Sequence, residues 1–92
     1  MSEFVVVENY LAELRAGLDL AGLEPLDIPA LLAAVRTIAH TVTHPAGPVA
    51  TFAAGYAAAR AGGSAVVVEQ IIAETVALAQ TFAAGQVGDD GD

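Results

Sequence analysis

The chain has no cysteine, no tryptophan and, among its three cations, no lysine. Without cysteine there is no disulfide framework, no thiolate metal centre and no catalytic thiol. Aromatics make up 5% of the 92 residues and the formal net charge is −8. The basic surface and stacking rings that hold a nucleic acid are therefore missing, and the overall field repels phosphate backbones. Nucleic acid is excluded as a partner. What the chain has instead is small apolar residues: 55% of it is hydrophobic, much of that alanine, and the mean hydropathy is +0.61. A domain of this length removes only about 60–65% of its unfolded surface from water. An apolar excess on such a chain points to surface buried between subunits, and a homodimer is the simplest such assembly.

Carboxylates are missing from the middle. Residues 1–27 carry six acids and Arg15, and residues 64–92 carry five acids, whereas the stretch from Ile28 through Val68 carries none. That acid-free stretch holds Arg36, His40, His44 and Arg60. The beginning of the chain places Glu3 ahead of Phe4-Val5-Val6-Val7 in place of a basic segment, so it does not read as a secretory signal. An uncharged run from Thr37 to Ala59 is long enough to cross a bilayer, but it is rich in alanine and holds two histidines, four threonines, Pro45 and Pro48. It reads as two helices broken at the prolines. The expectation is a cytoplasmic protein with no membrane partner.

Spacing and caps predict four helices. Ser2 is a suitable N-cap for a first helix over about residues 3–20, with Phe4, Val7, Leu11, Leu14 and Leu18 at the three-and-four spacing of a packed seam. Gly22-Leu23-Glu24-Pro25 breaks that helix, and Asp27 caps a second one whose apolar face is Ile28, Leu31, Leu32, Val35, Ala39 and Val42. The segment His44-Pro45-Ala46-Gly47-Pro48 stops it, because a residue before proline avoids the helical region. A third helix is expected over about 48–61, with Pro48 in its first turn. Val49, Phe52, Tyr56 and Ala59 form its larger face, and Thr51, Gly55, Ala58 and Gly62 form a strip of small residues that admits a close neighbour. Ser64 caps a fourth helix with Val68, Ile71, Ile72, Thr75, Leu78, Ala79 and Phe82 on its apolar face, ending at Gly85. The expected fold is an all-α, compact four-helix bundle with short connections over 1–85, followed by a disordered acidic tail over 86–92.

Arg36, His40 and His44 recur every four residues on the flank of the second helix away from its apolar face. Beside them the start of the third helix offers backbone amides and a partial positive charge. A hypothetical anion site therefore comprises Arg36, His40, His44, Val49, Thr51 and Arg60. The competing reading is structural: arginines paired with carboxylates of other helices, and histidines bonded to backbone. His40 and His44 have the i, i+4 spacing of a metal pair, but no third ligand stands near them in sequence, so no metal is expected. Ser2 and Ser64 read as caps, and no carboxylate stands beside a histidine base, so no catalytic residue is assigned.

The run Ala39-His40-x-Val42-x-His44-Pro45-Ala46-Gly47-Pro48-Val49-Ala50-Thr51-Phe52, preceded by a helix beginning near Asp27, resembles a small actinobacterial domain of unknown function. That family occurs free-standing or joined to nucleotidyltransferases of the molybdenum-cofactor guanylyltransferase type. Its pattern has an Ala-His pair, a basic residue before Pro-Ala, a second Pro, and Thr followed by an aromatic. Here the basic residue is His44 where Arg is commoner, and Gly47 stands where Ala is commoner. The resemblance implies a setting in molybdenum-cofactor maturation, with a nucleotidyltransferase as partner. Two functions follow. One is a non-catalytic accessory domain, without cofactor, that docks as a homo-oligomer. The alternative is a small-molecule binder for a phosphorylated anion or nucleotide, using the arginine and histidine stripe.

Overall fold

In the computed structural model, which describes residues 2–20, 22–23 and 26–90, four helices follow in order: α1 (Glu3–Gly17), α2 (Ile28–Thr41), α3 (Ala46–Arg60) and α4 (Ala65–Asp90). The fold is all-α with short connections, as the sequence predicts. Capping fixes three of the four starts. The hydroxyl of Ser2 accepts from the Val5 amide at 3.3 Å, Asp27 Oδ1 accepts from the Ala30 amide at 3.1 Å, and Ser64 Oγ accepts from the Val67 amide at 3.2 Å. Each satisfies an amide that has no partner within its own helix.

The ends differ from the sequence reading in instructive ways. The first helix stops at Gly17, short of residue 20, because Asp19 takes a left-handed backbone (φ 54°) and the Leu20 amide returns to the Arg15 carbonyl. That is a Schellman closure with aspartate in the position glycine usually takes. The Val5-Val6-Val7 run is helical throughout. The third helix starts earlier than expected, at Ala46, with the turn before it closed by Ala46 N–H to Thr43 O and Gly47 N–H to His44 O. It closes on a second Schellman turn, in which Gly62 (φ 105°) and Gly63 return their amides to Ala59 and Ala58. Helix α4 continues past Gly85, so that glycine does not terminate it, and the backbone of 86–90 is continuous with the helix. Residues 91 and 92 lie outside the described residues, as do Glu24 and Pro25 of the first expected break.

Helices α2, α3 and α4 pack on one another, whereas α1 makes no comparable contact with any of them and buries no residue. The core is thin. Ile28, Ile38, Ala58 and Ala79 are its buried hydrophobics. On α2, Leu31, Val35, Ala39 and Val42 are half-buried as their spacing predicts, but Leu32 is exposed and the deepest residue is Ile38, three positions on from Val35. Helix α3 packs through small residues and leaves its larger face outside. Its small residues Gly47, Ala54 and Ala58 turn inward, and Val49, Phe52 and Tyr56 point to solvent at 71%, 80% and 63% exposure. The reason is a close approach of α2 and α3: a Cβ on Gly47 would stand 3.0 Å from Val35 Cγ1. Helices this near have room only for glycine and alanine between them.

Helix α4 is long and apolar enough, by length and composition, to cross a membrane over Ala65–Gln86. It also carries Glu69 and Glu74 and packs against both α2 and α3, with Ala79 buried and Val68, Ile71, Ile72 and Thr75 half-buried. It is the third wall of the core. Leu78 and Phe82, expected on the packed face, are exposed.

Candidate functional site

Arg36 and His40 lie on the flank of α2 that faces solvent, and His44 is exposed in the turn that follows. Neither arginine of the acid-free stretch forms an ion pair among the described residues. Arg60 stands over the ring of Tyr56, its Cζ 5.9 Å from the ring centroid, so it belongs to the outward face of α3. The remaining two proposed donors diverge. Val49 points out to solvent, whereas Thr51 faces inward and its hydroxyl donates to the Gly47 carbonyl at 2.8 Å. The first amides of α3 are also occupied, since Ala46 and Gly47 bond back into the turn and Pro48 has no N–H. The six residues thus divide between two exposed surfaces and one interior position.

The other hydroxyls have local duties. Ser2 and Ser64 cap helices, and Thr75 donates to the Ile71 carbonyl at 2.7 Å. Among the described residues no three histidines or carboxylates gather closely enough to hold a metal ion.

Two apolar surfaces stand out instead. The first is the ridge of Val49, Phe52 and Tyr56, one residue per turn along α3. The second is a groove of about 460 Å³ between the small-residue strip of α3 and the segment linking α1 to α2. Thr51, Gly55, Ala59 and Gly62 form its floor on α3. Leu20, Leu23 and Leu26 of the linking segment form one wall, and Val68 and Ile72 of α4 contribute to another. The strip was legible in the sequence as a place for a neighbouring helix; among the described residues its Ala58 is buried in the core, while Gly55 and Gly62 stay exposed. The linking segment was read as the end of the first helix, at Leu20, followed by a break before the second. Its leucines at 20, 23 and 26 are the signal that it lines a surface.

A family model for a domain of unknown function, DUF6457, matches residues 2–88. The chain belongs to the DUF6457 family. No curated protein and no solved structure matches it. The DUF6457 match covers α1, α2 and α3 and all but the last two residues of α4, so the ridge and the groove both lie inside the family's domain.

Proposed function

We propose that this DUF6457 domain is a non-catalytic accessory module that works by docking through the outward ridge of α3. One observation carries the reading: the three largest apolar side chains of α3 are exposed while its glycine and alanines make the core. Scattered exposed apolar residues need no explanation. A regular ridge of valine, phenylalanine and tyrosine, with an arginine over the tyrosine, has the composition of a binding hot spot. The sequence pattern around His40 to Phe52 supports a nucleotidyltransferase of molybdenum-cofactor guanylylation as the partner, in the cytoplasm, since that is the setting of the domains it resembles. The domain would then position or stabilise the enzyme and leave the transfer chemistry to it.

The test is a binding titration of the full chain against such a nucleotidyltransferase. Wild type is expected to bind, and Phe52→Ser with Tyr56→Ser to bind at least tenfold more weakly with unchanged helical signal. Equal binding by both chains, or none by wild type, would remove the ridge or the enzyme from the proposal.

A further inference from the structure

We infer that the groove beside α3 receives helix α1 of a second copy of this chain, in a reciprocal dimer. Four observations converge on that occupant. The first is surface area. The chain exposes 6581 Å², whereas a folded monomer of its mass exposes about 4,900 Å². Two copies thus carry roughly 3,300 Å² beyond that value, within the range an obligate homodimer covers.

The second is shape. The seam of α1 presents large side chains, with Phe4 and Val7 at 46% and 40% exposure and Leu18 at 64%. The groove floor presents Thr51, Gly55, Ala59 and Gly62. Large residues on one element and small ones on the other are what close helix packing requires. The third is polarity. The groove lining includes no charged residue and one hydroxyl, that of Thr51, and the α1 seam of Phe4, Val7, Leu11 and Leu14 is likewise uncharged. Apolar surface thus meets apolar surface.

The fourth is direction. The Leu20 amide bonds to the Arg15 carbonyl, and the Arg15 guanidinium bonds to the Leu23 carbonyl. These contacts fix α1 against the linking segment, so it cannot fold back over its own groove without breaking them. A second copy has no such restriction. Each copy offers one helix and one groove, and when the exchange is reciprocal the two contacts are related by a two-fold axis and the assembly closes at two chains. The contact uses a different flank of α3 from the outward ridge, and it stands or fails independently of the proposed enzyme partner.

Gly55 provides the test. A Cβ added there meets nothing within 4 Å in the chain, so Gly55→Leu obstructs the groove and spares the fold. Sedimentation equilibrium on the full chain, from micromolar to sub-millimolar, should give twice the chain mass for wild type. Gly55→Leu should weaken self-association by roughly 30-fold or more, with helical circular dichroism retained. The double variant Phe4→Asp with Val7→Asp should do the same from the other side. Mixing the two variants should restore a heterodimer, because one intact helix then meets one intact groove. A monomeric wild type overturns the inference, as does a dimer that Gly55→Leu leaves unchanged. Failure of the mixed variants to associate while wild type dimerises would place α1 elsewhere and overturn it too.

Discussion

The Arg15 guanidinium donates from Nη1 to the carbonyl oxygen of Leu23 at 2.6 Å, joining the last turn of α1 to the segment that walls the groove. The bond is partly buried, and a hydrogen bond from a charged donor is worth about 1.5–3 kcal/mol when its partner is left unsatisfied. Some of that is recovered by water at this half-exposed position. Arg15→Ala is therefore expected to cost about 1–2 kcal/mol and to lower the Tm by roughly 5–10 °C. Amide exchange at Leu20 and Leu23 should quicken more than in the core of α2. Uniform quickening across all helices would mean that the bond supports the whole fold and does not act locally.

Two left-handed residues give predictions of opposite sign. Gly62 at φ 105° closes the Schellman turn of α3, and an alanine there would force its Cβ toward the backbone. Gly62→Ala should cost about 1–2 kcal/mol in chemical denaturation. Asp19 already bears that strain at φ 54° in the equivalent turn of α1. Asp19→Gly should relieve it and gain about 0.5 kcal/mol, the strain relief being partly offset by glycine's greater freedom in the unfolded chain. A loss at Asp19→Gly would show that the aspartate side chain contributes a bond of its own.

The caps and breaks were legible because each is a local signal: an oxygen-bearing side chain at the start of a helix, a proline or glycine at its end. Ser2, Asp27 and Ser64 all cap as their positions imply. The faces of α3 were legible only in part: its small-residue strip marks a place for a close neighbour, but nothing in the spacing turns Val49, Phe52 and Tyr56 outward. Its sequence is apolar all round, so periodicity offers no contrast, and the rule that large residues face inward fails where Gly47 lets α2 approach to within van der Waals distance. The seam of α1 reads as a helix-packing face, yet within the chain α1 buries no residue and packs on no other helix as α2, α3 and α4 pack on one another, and spacing alone does not say what covers it. Of the candidate anion residues, the exposed placement of Arg36 and His40 followed from their spacing. The inward turn of Thr51 agrees with its place on the small-residue strip.

Arg36, His40 and His44 sit on a surface where α3 has few free amides to add. Inorganic phosphate or GTP at millimolar concentration should therefore move the Tm by less than about 1 °C, because a ligand well below its Kd contributes almost no stabilisation. Zinc should behave likewise, with only two histidines at hand. A rise of several degrees with one phosphorylated compound, abolished by His40→Ala, would instead establish the anion site and favour the ligand-binding alternative.

The packing of α3 through its small residues is open to a direct comparison of two substitutions. Ile38 is 4% exposed among α2, α3 and α4, and Ile38→Ala removes buried methyl groups from a core that has few. About 2–4 kcal/mol should be lost, a large share of what so small a domain commands. Phe52 is the bigger side chain but is 80% exposed. Truncating it to alanine should change stability by no more than about 0.5 kcal/mol at unchanged denaturant slope. If Phe52→Ala costs as much as Ile38→Ala, the ridge is already covered in the free protein. A concentration-dependent Tm in wild type that disappears in Phe52→Ala would then identify the cover as another copy, and would move the self-association surface from the groove to the ridge.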